Sequence, residues 1–193
     1  IQYTANPSGD SPYKDQTVTV TGVVTAVVAG GYSNDTYFLQ DGPGPWNGIY
    51  VYAFDDAAQI GDSVSITGIV SEYYNLTEIG TSIYTVLKTG CALPAPVPIT
   101  TGMLSASSGE PYEGVLVTTT ISARVTNVTP TPNDGYSIND GSGQCDVGNF
   151  ISPYASVGYS PVVNDTLVKV QGVGHFGRFV STTNSFGIEP RRM

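Results

Sequence analysis

The sequence predicts an all-β protein built from two tandem five-stranded Greek-key barrels. Three observations lead there. Valine, isoleucine, threonine and tyrosine dominate the apolar runs, and glycines (23) and prolines (13) fall mostly between them, as strands and turns require. Several runs alternate apolar and polar residues with the period of two that marks a half-buried strand. One phrase also occurs twice. Ser11-Pro12-Tyr13 opens a run that leads to Tyr37-Phe38-Leu39-Gln40-Asp41-Gly42, and Glu110-Pro111-Tyr112 opens another that leads to Tyr136-Ser137-Ile138-Asn139-Asp140-Gly141. Tyr13 and Tyr112 are 99 residues apart, as are Asp41 and Asp140. A fixed period of this kind marks a duplicated unit.

Residues 1–10 read as an extended N-terminal arm and residues 11–90 as the first barrel. In Thr17–Thr25, Val18, Val20 and Val24 face one way with threonines largely opposite. Gly22 interrupts this run where a long first strand must bend to serve both sides of a small barrel. Thr36–Gln40 is the second strand, residues 41–48 a Gly/Pro turn, and Ile49–Tyr52 the third strand. Phe54–Ile60 has room for one helical turn before Gly61-Asp62 ends it. Ser63–Val70, broken by Gly68, is the fourth strand, and Asn75–Ile79 with Ser82–Leu87 supplies a last strand or hairpin. Residues 91–98 form a connector whose alternating prolines hold it extended. The second barrel, residues 99–190, repeats the plan with strands at 115–128, 135–139, 145–151, 166–173 and 176–182. Gly172 stands where Gly68 stands in the first copy. A long curled first strand and little helix specify the OB-fold form of Greek-key barrel. A single two-sheet sandwich is the rival, and it leaves the repeated phrase unexplained.

Only 12% of residues are charged and the net charge is −9, against about 25% charged in an average soluble domain. A surface of Thr, Ser, Asn and Tyr suits an extracellular or cell-surface setting. The charge opposes nucleic-acid phosphate over the whole molecule, and the one basic pair is Arg191-Arg192. No apolar run is long enough to span a membrane. Cys91 and Cys145 are a candidate disulfide, with two free thiols as the alternative.

Candidate chemistry is sparse. His175 is the sole histidine and reads as a local structural or surface side chain, so no catalytic residues and no enzyme are expected. Asp35, Asp41, Asp55 and Asp56 are weak Ca²⁺ candidates, because a hard cation accepts mixed oxygen ligands. Their spacing lacks the regularity of a calcium loop, and no other cofactor is expected. Asp41 and Asp140, each before a glycine, are better explained as turn residues accepting backbone N–H bonds. Aromatic residues are the richest feature. Trp46, Tyr50, Tyr52, Tyr73 and Tyr74 are the ligand-binding candidates, because Tyr50 and Tyr52 fall on the outer face if Ile49 and Val51 fill the core. Trp46 as a plug over its own barrel end is the competing account. Asn34, Asn75, Asn127 and Asn164 each begin an N-x-Thr glycosylation pattern.

The stretches Ser11–Val27, Tyr37–Tyr52 ("YFLQDGPGPWNGIYVY") and Gly61–Ile79 ("GDSVSITGIVSEYYNLTEI") resemble the OB-fold accessory domain of secreted bacterial endonucleases and exonucleases. The resemblance covers residues 11–88, and the second half is a diverged copy without a counterpart of Trp46. It implies a non-catalytic companion domain in an extracellular setting. Two functions follow as expectations. One is a structural module that mediates protein–protein assembly or builds a cell-surface filament, with residues 1–10 reaching a neighbouring copy. The other is an accessory module that binds nucleic acid or glycan, with nucleic acid disfavoured by charge.

Overall fold

Strand β1 (Thr17–Val27) has one job on each side of a bend. Its first half, Thr17–Val23, pairs antiparallel with β4 (Ser63–Tyr73), and its second half, Val23–Val27, pairs with β2 (Tyr37–Gln40). Gly22 sits at the changeover, where a Cβ would lie 2.8 Å from Leu39 Cγ and 2.9 Å from the Gln40 carbonyl oxygen. Strand β2 then pairs antiparallel with β3 (Gly48–Tyr52), and β3 runs parallel to β5 (Leu76–Lys88). The long β4–β5 hairpin closes the barrel in the order β1-β2-β3-β5-β4. These features come from a computed structural model, which describes residues 1–28, 36–53, 56–105, 108–129, 135–151, 159–180 and 184–191. The interior is aliphatic: Val24, Leu39, Ile49, Val51, Val64, Ile66 and Ile79 are all buried together.

The second sheet has the order β11-β8-β9-β10-β13-β12-β7-β6. These strands are β6 (Val97–Ile99), β7 (Leu116–Thr119), β8 (Ala123–Val128), β9 (Tyr136–Asn139), β10 (Gln144–Val147), β11 (Thr166–Leu167), β12 (Gln171–Gly177) and β13 (Ser185–Pro190). Strands β7 and β8 divide the work of β1: β7 pairs with β12 and β8 with β9. The β10–β13 pair is parallel, as β3–β5 is. The same OB-fold path is therefore traced twice, and the second copy is split at residues 120–122. Strands β2 and β9 stand 99 residues apart, the spacing of the repeated phrase. Among the described residues no helix is long and apolar enough to cross a membrane.

Several sequence expectations need correction. Of the strand or hairpin expected at the end of the first barrel, the structure has the single strand β5, which follows a turn at Tyr74 and Asn75, whose φ values of 52° and 70° suit the tight two-residue turn between twisted strands. The expected strand at 115–128 is interrupted, and 166–173 divides into β11 and the start of β12. The closing strand is β13, not 176–182, because β12 itself runs on to Gly177. Residues 56–60 are not helical.

Cys91 and Cys145 are free thiols, not a disulfide. Cys145 is enclosed in the second core beside Ile138 and Val147, while Cys91 stays partly exposed where its N–H donates to the Gly61 carbonyl. Burial pushes the Cys145 thiol pKa upward. A thiol reagent is expected to label Cys91 in the native protein and Cys145 only after unfolding; mass spectrometry before and after denaturant checks both.

The barrels are docked, not strung. A third core forms between them from Ala26, Val28, Phe38, Tyr50 and Leu76 of the first and Leu116, Ile151 and Val173 of the second. Buried Gln40 seals this seam: its Nε2 donates to the Gly42 carbonyl (2.6 Å) and its Oε1 accepts from the Leu116 N–H (2.9 Å). Gly48 allows the closest approach, since a Cβ there would lie 2.1 Å from the Gly114 carbonyl carbon. Gly48→Ala is expected to destabilise the protein by about 1–3 kcal/mol through overpacking, read as a lower denaturant midpoint.

The N-terminal segment is folded back on its own chain rather than extended into solvent. Ile1 packs against the first core, and its carbonyl accepts a bond from the Ser11 hydroxyl (2.8 Å). Gln2 is buried and donates through Nε2 to Glu113 (3.0 Å), whose same oxygen accepts from the Thr77 N–H (3.0 Å).

Candidate functional site

The parity of β3 decides where its tyrosines go. Ile49 and Val51 point into the first barrel, so Tyr50 and Tyr52 point out. Across the parallel pair Tyr50 neighbours Glu78, and across the hairpin Glu78 neighbours Ser71. The hairpin turn adds Tyr73 and Tyr74, whose rings meet edge to face at 4.8 Å. The second barrel faces this surface with His175 and Phe176 of β12, Phe150 from the loop after β10, and Glu189 of β13. A cleft of about 740 Å³ remains between the two walls.

Four of the five predicted ligand-binding residues, Tyr50, Tyr52, Tyr73 and Tyr74, thus line one cleft. Tyr50 is not the open outer-face ring that the sequence suggests; the second barrel covers it, and it is buried between Phe38 and Phe150. Tyr52, Tyr73 and Tyr74 remain exposed. Trp46 lies apart, half-buried in its turn with φ 68°, its N–H donating to the Pro111 carbonyl (2.7 Å) and its ring edge-on to Tyr3 at 5.4 Å. It links the two barrels and the N-terminal segment, and it shares a small cavity with Val20, Leu39 and Ile49 of the first barrel.

His175 is buried against an aromatic wall, with its ring stacked on Phe150 at 5.5 Å and 5°. Burial pulls its pKa down to about 4, so it stands neutral at physiological pH, and its Nδ1 has no hydrogen-bond partner. Glu189 is equally enclosed. Burial raises its pKa to about 8, against the lowering effect of backbone N–H donors from Phe150 (2.8 Å) and Ile151. Glu78 is also raised by burial, partly offset by the Ser71 hydroxyl that donates to it at 3.1 Å. Burial raises Tyr50 as well, with Glu78 next in effect. Arg178 is the cationic residue of the lining, and it is exposed at the rim.

The calcium candidates are not gathered. Asp35 and Asp55 lie outside the described residues, as does Asn34. Asp56 is buried and accepts a bond from the Tyr37 hydroxyl (3.0 Å). Asp41 is exposed on the turn that its N–H closes onto the Asn47 carbonyl. Among the described residues no three His, Cys, Asp or Glu side chains converge as a metal site. Asp140 does what a turn carboxylate should: it accepts from the Thr101 N–H (3.0 Å) and the Ser142 N–H (3.0 Å). Burial would raise its pKa, but hydrogen bonds from Ser142 and Thr101 outweigh it and hold the group at about 2. Asn75, Asn127 and Asn164 are exposed, at the hairpin turn, on β8 and before β11 respectively.

Glu78, Phe150, Phe176, Asn184 and Glu189 line the cleft without having been singled out from sequence. Glu78 had a usable signal, since an inward Ile79 forces it onto the face of Tyr50. Glu189 had none, because the last strand was expected before residue 183.

No family description and no curated protein matches the chain. Among solved structures, "Crystal structure of the tetrameric p202 HIN2" is 10% identical over 91% of this chain and 90% of its own, with a TM-score of 0.40. "Structure of murine DNA binding protein bound with ds DNA" is 12% identical over 89% and 93%, with a TM-score of 0.44. A likeness this remote brings neither protein's partner to this chain.

The charge state of the cleft gives a pH test. A carboxyl whose pKa is higher folded than unfolded stabilises fully below the unfolded value and loses that contribution as pH rises through the folded one. For Glu189 the window runs from the ordinary 4.5 to about 8. His175 is opposite: its contribution is present above the ordinary 6.5 and lost as pH falls to about 4. The melting temperature is therefore expected to fall as pH rises from 6.5 to 8, and to fall less in Glu189→Gln.

Proposed function

We propose that the chain is a non-enzymatic extracellular binding module, with units at residues 11–90 and 99–190, whose ligand lies in the cleft between them. The observation that carries this reading is the convergence of Tyr50, Tyr52, Tyr73 and Tyr74 on one cleft of about 740 Å³, within the range of pockets that enclose small ligands. Tyrosine faces give apolar contact while the hydroxyl rims hydrogen-bond, so a ligand with flat or apolar faces fits. Of the two ligand classes raised by the sequence, glycan agrees with the electrostatics. A phosphate chain does not, because Glu78 and Glu189 occupy the walls and the net charge is −9.

Titration against neutral oligosaccharides and single-stranded DNA at low salt tests the reading. A neutral saccharide bound by the native protein is expected to bind at least tenfold more weakly to Tyr52→Ala/Tyr73→Ala and unchanged to Trp46→Ala. DNA binding that survives the tyrosine double variant would overturn the assignment of the site.

Self-association is a second reading, supported by the exposed Ile69 of β4 and Ile83 of β5, which share one outward face. It predicts oligomers in analytical ultracentrifugation that Ile83→Asp converts to monomers. A monomer at all concentrations would remove it.

A further inference from the structure

Resting on the cleft as the ligand site, we propose that its ligand carries an organic ammonium group, held by the tyrosine faces and by Glu78. The argument begins with an imbalance. Glu78 stands in the cleft wall, yet among the described residues it forms no ion pair; the ion pair there is Lys14–Asp10, far along the sequence. Burial raises the Glu78 carboxyl, the response of an acid taken out of water. Arg178 is exposed at the rim, and His175 is neutral and apolar in its surroundings. Among the described lining residues Arg178 alone carries positive charge, and no ion pair joins it to Glu78.

The rings supply the second part. Tyr73 and Tyr74 stand nearly perpendicular, at 84°, and Tyr52 and Tyr50 continue the same wall. Aromatic faces carry negative potential and attract a cation within about 6 Å of the ring centre, most strongly when it is soft and weakly hydrated, as alkylated ammonium ions are. Glu78 lies beside Tyr50 in the sheet register, so one wall offers ring faces and a carboxylate together. The net charge of −9 adds long-range attraction for a cation. A quaternary ammonium headgroup and a lysine-type alkylammonium share this chemistry, and the assay separates them.

The test is calorimetric titration of the whole chain with choline, with Nα-acetyl-lysine amide, and with 3,3-dimethylbutan-1-ol, the uncharged carbon isostere of choline. Choline or the lysine derivative is expected to bind at least tenfold more tightly than the isostere, and the tighter of the two names the source. Glu78→Gln and Tyr52→Ala are each expected to weaken that binding at least fivefold; Tyr52 is exposed, so its variant keeps the fold if Glu78→Gln does not. Equal binding of choline and its isostere, or no binding of either cation, overturns the proposal. If neutral saccharides still bind in the tyrosine-dependent way, the cleft reading survives that failure; if they do not, both fall.

Discussion

The seam between the barrels is the constraint on which the remaining features rest. A lone OB-fold barrel of this size buries a modest core, and here an additional apolar layer forms from Phe38, Tyr50 and Leu76 against Leu116, Ile151 and Val173. Two polar side chains trapped there, Gln40 and Glu113, bond across it. Gln40 spans it to the Leu116 N–H, and Glu113 returns the link by accepting from the Thr77 N–H of the first barrel. Unmatched, each such group would cost about 1–3 kcal/mol. The relative placement of the two halves is thus fixed by directional bonds as well as by apolar area. That fixity turns a gap between them into a shaped cleft.

The low charge content and the cleft belong together. With few lysines and arginines, burial of acids cannot be compensated from within, and Glu78, Glu110, Glu113 and Glu189 all show pKa values displaced upward by burial. Two of these acids serve the junction with the N-terminal segment. The other two belong to the cleft lining, where Glu78 accepts from the Ser71 hydroxyl and Glu189 from the backbone N–H groups of Phe150 and Ile151.

The repeat was legible because strands β2 and β9 keep their residues and their offset, and because valine–threonine alternation identifies the inward face of β1. The tyrosines were legible for the same reason: inward Ile49 and Val51 dictate outward Tyr50 and Tyr52. Their covering was not legible, since nothing in the alternation of one strand reports which other domain lies against it. The end of the second barrel was misplaced because Gly172, Gly174 and Gly177 dilute the apolar pattern of β12. These glycines serve close backbone approaches instead; a Cβ on Gly174 would lie 2.2 Å from the Tyr112 carbonyl oxygen. A glycine chosen for closeness looks, in sequence, like a glycine chosen for a turn.

The interruption between β7 and β8 makes the twin units mechanically unequal. The first cylinder is stitched by an unbroken β1 that holds β4 on one flank and β2 on the other, whereas its partner has a slit where residues 120–122 leave the ladder. The half carrying His175, Phe150 and Glu189 thus has the divided ladder, while Tyr50, Tyr52 and Tyr73 stand on strands of the closed one.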